Sequence, residues 1–484
     1  MAHLQGGKVD ISLIQTSARN NLINLLEKCP GKKAIVWDNN LAGPVGLVAQ
    51  YTILREHMVT KMYPLRPTPL PETDVDHVIF ISRPKEYTIE NDPTYLYQTA
   101  QAIIYLQKIY GPIPRVWGKG DAAKQIWELV VRLQREKNNI EEPKSNQPSC
   151  IDQILLIDRC VDLISPLATQ LTYEGLIDEI FGINNSTANF PIDHFLTSEE
   201  RSTESLAEDK KQIILNSADK LYADIRDRNF NAEKSVQEMK LYVQRLPQIL
   251  AKKKQLATHT AIAECVKEVT DSYDFLDTLQ AEQEFLNCIE VDKPSAYIEE
   301  MVAQNKPLVK VLRLMCLQCI AGSGLKPKVL ESYKRDLVQV YGLEALLAVT
   351  KLEKVGLLKL QSGTRQYTVL RKALHLTMED TSEVNPTDIS YVHSIYAPLS
   401  IRLAEQVTRN GGLKQLQDVL GLLPGPTLDE SPSVSTSLIS NTSDAPTISA
   451  LRFLSQQEDS NVEFVIATTK IINGTTFLKS IIEN

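Results

Sequence analysis

Apolar residues fall along this chain in two rhythms, short uninterrupted runs and 3.6-residue stripes, and their order divides it into successive stretches. Residues 1–88 read as a short α/β unit. Lys33-Ala34-Ile35-Val36-Trp37-Asp38 is an apolar run ending in a carboxylate, the pattern of a buried parallel strand. A helix is expected over Val45 to His57, then a second strand at His77-Val78-Ile79-Phe80-Ile81 that stops at Arg83-Pro84. Residues 92–140 read as helical, with Leu96, Ala100, Ile103, Leu106 and Tyr110 on one stripe. Gly111-Pro112-Ile113-Pro114 breaks the pattern, and a second helix begins at Asp121 as N-cap with Ile126, Leu129, Val130 and Leu133 on its apolar face. A polar linker, Asn138 to Ser149, leads into the strand Ile154-Leu155-Leu156-Ile157 and a helix from Tyr173 to Phe181.

From about 195 to 384 the strand signal fades and helices take over. They are expected at Ser202 to Asp227, Lys234 to Leu246, Thr260 to Leu279, Leu308 to Ile320, Lys328 to Tyr341 and Leu343 to Lys354. The α/β character then resumes over 385–484, with a helix at Ala397 to Val407 and a strand at Val462 to Ala467. Between them Pro424 to Pro446, rich in Pro, Ser and Thr, is expected to be a mobile loop. An all-helical block between two α/β stretches reads as an insertion, and no repeat of solenoid period is found.

Composition narrows the function classes. The chain has 484 residues, 43% hydrophobic and 23% charged, which is ordinary for a globular protein of two or three domains. Its net charge of −8 speaks against a nucleic-acid binder, which needs a concentrated basic face. No apolar run approaches bilayer length and Met1 to Asp10 lacks a secretory core, so a cytosolic protein is expected. Seven scattered cysteines do not make a disulfide framework.

Candidate chemistry is sparse. Trp117-Gly118-Lys119-Gly120-Asp121 lacks the upstream glycine and the hydroxyl of a phosphate loop, so turn chemistry is the reading. Asp158 and Asp162 flank Arg159 at a strand end without a histidine, and a structural ion pair accounts for them. Cys316 and Cys319 lie in an apolar helix with no second ligand pair nearby, which makes them core thiols. Lys252-Lys253-Lys254 reads as a solvated helix face. No catalytic, cofactor or metal residue is expected.

One stretch is more specific. Ile154-Leu155-Leu156-Ile157-Asp158-Arg159-Cys160-Val161-Asp162-Leu163-Ile164-Ser165-Pro166-Leu167 resembles the second domain of the Sec/Munc (SM) family, where an apolar strand ends in Asp-Arg-x-x-Asp before a Ser/Thr-Pro-Leu turn. Leu171-Thr172-Tyr173-Glu174-Gly175-Leu176-Ile177-Asp178-Glu179 is similar to the lysosomal branch. Asn385-Pro386-Thr387-Asp388-Ile389-Ser390-Tyr391, Tyr396-Ala397-Pro398-Leu399, Leu451-Arg452-Phe453-Leu454 and Val465 to Lys470 extend the resemblance through almost the whole chain.

The resemblance implies an arch of two parallel-sheet α/β domains with a helical third domain inserted in the second. The limits are then 1–88 for a shortened domain 1, 89–194 and 385–484 for domain 2, and 195–384 for domain 3. It implies a non-enzymatic protein that binds and templates SNARE helices, as a subunit of the HOPS and CORVET tethers. Such a protein is peripheral to late endosomes, lysosomes and early endosomes, and promotes vesicle docking and fusion, including autophagosome–lysosome fusion. It touches membranes only through its partners. Phe230, Asn231, Pro247 and His259 match the SNARE-gripping hairpin and its return helix. Lys334, Arg335, Leu343 and Leu346 match the surface that docks the vacuolar-sorting tether subunit numbered sixteen. Three departures stand out: a short stretch between Pro84 and Asp92, an abbreviated hairpin tip after Phe230-Asn231-Ala232, and the Ser/Thr-rich loop where the family has a strand before Ile448. The alternative they raise is a scaffold that keeps the tether partner but has lost SNARE templating.

Overall fold

Strand β1 (Lys33–Trp37) is buried along its whole length, as an apolar run bounded by polar residues should be in a parallel sheet. The computed structural model describes residues 9–10, 12–37, 45–46, 48–64, 75–81, 94–138, 149–183, 187–191, 210–214, 246–288, 292–361, 366–378, 386–409, 412–430, 438–441, 445–457, 462–468 and 471–483. Ahead of β1 lies helix α1 (Ser12–Glu27); after it come α2 (Tyr51–Glu56), β2 (Val59–Pro64) and β3 (His77–Ile81). The three strands run parallel in the order β2-β1-β3. Their small core is Leu26, Ile35, Trp37, Ala49, Leu54 and Val59. The helix expected over Val45 to His57 is interrupted: Val45, Gly46 and Val48 are helical, Ala49 and Gln50 are not, and α2 begins at Tyr51.

The next elements are α3 (Thr94–Tyr110), β4 (Arg115–Lys119), α4 (Asp121–Asn138), β5 (Gln153–Ile157), a short α5 (Ile164–Leu167), α6 (Tyr173–Phe181), β6 (Thr187–Pro191) and β7 (Lys210–Ile214). Strand β4 corrects the all-helical reading of 92–140. Its five residues carry a charge at each end and a glycine, too short and mixed for a period to show. Gly118 is also not in a turn: it lies in β4, where a Cβ would stand 3.2 Å from Leu428 and 3.3 Å from the Leu156 carbonyl. Strand β7 likewise overrides part of the helix expected over Ser202 to Asp227, pairing antiparallel with β6.

The helical block runs through α7 (Leu246–Thr270), α8 (Tyr273–Asn287), α9 (Asp292–Ala303), α10 (Leu308–Ala321), α11 (Pro327–Tyr341), α12 (Leu343–Val355) and α13 (Gln366–Ala373). The single helix expected over Thr260 to Leu279 is cut in two because the Ser272 hydroxyl accepts the Phe275 amide at 3.3 Å and starts α8. The Lys234 to Leu246 helix lies outside the described residues except for Leu246, where α7 begins. Cys316 and Cys319 are buried in α10, and burial raises both thiols, Cys316 well above the usual range.

After α14 (Leu399–Thr408) and α15 (Gln417–Leu420) the chain forms β8 (Thr427–Glu430), β9 (Leu438–Asn441), α16 (Ala445–Gln456), β10 (Ile466–Ala467) and α17 (Gly474–Ile482). The Pro424 to Pro446 stretch, expected as a mobile loop, therefore supplies two strands of a five-stranded sheet ordered β10-β9-β5-β4-β8. Only β8 is antiparallel. The Lys119 ammonium donates to the Gly425 carbonyl at 2.6 Å and to Thr427 Oγ1 at 3.2 Å, and Trp127 Nε1 donates to Glu430 Oε2 at 2.6 Å, so β8 is pinned at both ends. The expected strand over Val462 to Ala467 shrinks to β10.

This sheet separates two cores by the period-two alternation of its strands. Val116, Ile154 and Leu156 face a core shared with α3 and α4. Trp117, Leu155 and Ile157 face one that continues through α8 to α14, α16 and α17. The helical block thus has no separate interior.

Candidate docking surfaces and the buried junction behind them

The strand end at β5 is an arrangement of helix caps. Asp158 accepts the Cys160 amide at 3.1 Å with one oxygen and the Ala122 amide, in the first turn of α4, at 3.0 Å with the other. Asp162 accepts from the Ser165 amide at 3.2 Å, the Ser165 hydroxyl at 2.7 Å and the Ser400 amide at 2.9 Å, joining the starts of α5 and α14. Arg159 donates to the Asp162 carbonyl at 2.9 Å. The two carboxylates satisfy main-chain donors that helix starts leave without internal partners.

Behind them lies a buried charged junction. Arg313 is the buried cation of α10, only 7% exposed, whereas Lys310 on the same helix is exposed. Its Nε donates to the Leu167 carbonyl at 2.5 Å, and its two terminal nitrogens grip both oxygens of Glu179 on α6. Glu282 on α8 accepts the Thr169 amide at 2.7 Å and the Thr169 hydroxyl at 2.8 Å. Burial pushes the Glu282 carboxyl up, against the opposing pull of Arg313 and of the two bonds from Thr169. Nearby Arg452 of α16 pairs with Glu174 of α6 at 2.7 Å, and Asn473 caps α17 while donating to the Asp178 carbonyl at 2.8 Å. Helix α6, nine residues long, is therefore tied to α10, α16 and α17 by separate polar contacts.

The surface set on α11 and α12 is brought together by the turn at Gly342, whose φ of +82° favours glycine. Leu343 is 72% exposed and Arg335 is exposed, whereas Leu346 is half-buried. Lys334 is held by Glu353 at 2.6 Å. Leu347, 65% exposed and one turn from Leu343, completes an apolar ridge that sequence reading missed. Its signal was present in the i, i+4 leucine pair set opposite Ala345, Ala348, Val349 and Leu352, which are buried. Arg313 was equally legible as a charge inside the apolar run Val311 to Cys319.

The hairpin set is not assembled in the same way. Phe230 and Asn231 lie outside the described residues, and Pro247 sits in the first turn of α7. His259 is 5% exposed, with Nδ1 2.9 Å from the Tyr173 hydroxyl. Its ring belongs to the packing of α7 on α6, because α6 places Tyr173 over it, and it does not present a surface contact.

Two largely parallel sheets, with a helical block that leaves and re-enters the second, define an SM-type α/β architecture. The Sec1 family profile matches residues 85–233 and 231–447, and the chain belongs to that family. It is 39% identical to vacuolar protein sorting-associated protein 33A of Rattus norvegicus, with 100% of this chain and 99% of the relative covered. Identity to the Drosophila melanogaster protein of the same name is 34%, with 100% of both covered. The rat alignment spans 596 positions against 484 residues here, so this chain lacks residues that the relative has. Among solved structures, the SM protein Vps45 in complex with the Qa SNARE Tlg2 superposes with a TM-score of 0.61 at 12% identity, covering 98% of each chain. The Unc18–syntaxin 1 complex from Monosiga brevicollis superposes with a TM-score of 0.59 at 15% identity, covering 96% of this chain and 99% of that one. The expected fold class and family are those found.

Two substitutions test the junction. Arg313→Met should lower unfolding stability by about 3–5 kcal/mol, because Glu179 and Glu282 would stay buried without their cation; chemical denaturation measures it. Gly474→Ala should cost about 1–3 kcal/mol by overpacking, since its Cβ would stand 2.6 Å from the Arg313 guanidinium and 2.9 Å from the Pro166 carbonyl. A lowered melting temperature is the readout.

Proposed function

We propose that this protein is a non-enzymatic subunit of endolysosomal tethering complexes of the HOPS and CORVET type, which binds SNARE helices and promotes vesicle docking and fusion at late endosomes and lysosomes. Full-length similarity to vacuolar protein sorting-associated proteins 33A supports the trafficking role, and the superposed structures named for SNARE complexes support the SNARE partner. In this reading the domain limits are 1–88, 89–194 with 385–484, and 195–384. The chain works from the cytoplasmic side, carried to the membrane by its partners; no helix among the described residues is long and apolar enough to cross a bilayer.

The observation that carries the tether assignment is the ridge of Leu343 and Leu347 beside Arg335 on α11–α12. Large apolar side chains one helical turn apart, exposed over a rigid hairpin, are the anchors a partner helix would cover. The partner proposed is the vacuolar-sorting subunit numbered sixteen, contacting Arg335, Leu343, Leu346 and Leu347. Lys334 contributes with its partner Glu353. Because the chain is shorter than its relatives, a scaffold that keeps this contact without SNARE templating is the second reading.

The test is co-purification of the tether partner and endolysosomal SNAREs with the wild-type chain and with Leu343→Asp/Leu347→Asp. Partner binding should fall roughly 100-fold in the double variant, as expected when two interface anchors are lost, with the melting temperature unchanged. SNARE recovery should persist. Retained partner binding in the folded double variant rules out the ridge; partner binding without SNARE recovery in the wild type favours the scaffold.

A further inference from the structure

Asp178 stands where helix α6 meets helix α17, in a site that suits a neutral carboxyl better than a charged one. It is 3% exposed. One oxygen accepts the Ile183 amide at 2.9 Å; the other is buried with no hydrogen-bond partner. The side chain lies in the last turn of α6, where the negative end of the helix dipole opposes a further negative charge. The charges of the elements around it do not compensate. On its own helix are Glu174 and Glu179, both acidic. From α10 comes Arg313, committed to Glu179, and from α16 comes Arg452, committed to Glu174. Helix α8 adds Glu282, directed at Thr169, and α17 adds only the Asn473 amide. The side of α6 toward α7 and β6 is apolar, with Ile262, Val266, Ala188 and Phe190, plus the Tyr173–His259 pair.

The contacts of α17 make this position consequential. Its first turn is held by the Asn473 amide on the Asp178 carbonyl and by the capping box of Asn473 and Thr476. Its last turn accepts Lys351 of α12 at 2.7 Å through the Ile482 carbonyl. It thus spans the distance from the buried junction to the helix that carries Leu343 and Leu347.

We propose that Asp178 is a proton-operated latch on the C-terminal helix α17: the seam between α6 and α17 is tight when the carboxyl is neutral and loosens when it ionises. The proton adds to the carboxylate from water and removes a buried charge that no cation neutralises. Burial pushes this carboxyl up to about 6 from an ordinary 3.8, partly offset by the Ile183 amide and the Asn473 side chain and reinforced by Glu179 and Glu174. The sign follows from linkage. With its value raised in the closed state, the group favours closure fully below about pH 4 and loses that contribution as pH rises through about 6.

The experiment is hydrogen exchange of residues 472–483 in the full chain, corrected for intrinsic rates, as a series from about pH 5.5 to about pH 7.5. In the wild type, opening of α17 should be about fourfold less frequent at the acidic end than at the neutral end, with a midpoint near 6. Asp178→Asn, which cannot ionise, should show a flat profile. The latch is overturned by a flat wild-type profile, by a wild-type midpoint near 4 or above 7, or by an unchanged pH dependence in Asp178→Asn. If that variant does not fold, the wild-type midpoint alone decides.

Discussion

A guanidinium on a helix that is otherwise buried almost all round constrains everything near it. Arg313 could not be left unpaired in the interior, where an isolated charge is far too costly. Its partners come from distant parts of the chain: Glu179 from α6 and the Leu167 carbonyl from the end of α5, while Glu282 on α8 braces Thr169 beside it. Apolar contact alone is non-directional and would tolerate several placements of α10 on the sheet. The convergence of one fork of donors on these acceptors selects a single placement. The junction therefore fixes how the helical block sits on the second sheet, which is a matter of register more than of net stabilisation.

Given that placement, the inserted helices and the sheet share one interior. Trp117 and Leu155 of the sheet lie in the same core as Leu312, Met315 and Leu317 of α10. The insertion is a domain in chain order without being a separate unit in packing. Helix α12 buries Ala345, Ala348, Val349 and Leu352 in this core and turns Leu343 and Leu347 outward, so the exposed ridge stands on a rigid base. A surface of this kind loses little conformational freedom when a partner covers it.

The legible parts of the fold were those where one physical signal dominates. Strands β1 and β5 are apolar runs after a single polar residue, Lys33 and Gln153, and α10 to α12 have clean stripes and, in α11 and α12, breaks at Gly342 and Gly356. What escaped depends on partners distant in sequence. Strand β4 owes its existence to β5 on one side and β8 on the other, and β9 to β5 and β10; neither Arg-Val-Trp-Gly-Lys nor Leu-Ile-Ser-Asn declares itself alone. At the site, Asp158, Arg159 and Asp162 were visible as a group, but their role as caps required knowing that the first turns of α4 and α14 point at them. His259 was assigned by its match to a motif, and burial against Tyr173 is a tertiary fact that no local pattern carries.

The same division explains how a chain shorter than its relatives can keep its architecture. The first sheet has a small core of its own and is joined to the second by side-chain contacts between α1 and α3, such as Tyr105 on Ser17 at 2.5 Å, and by Tyr110 on the Asp10 carbonyl at 2.7 Å. The two sheets also treat their edges differently. The second ends in β8, whose Asp429 and Glu430 discourage further pairing, and in the two-residue β10. Among the described residues, the edges of the first are β2 and β3, and β2 carries Lys61. Arg313 and the groups that hold it lie outside the first sheet, on α5, α6 and α10.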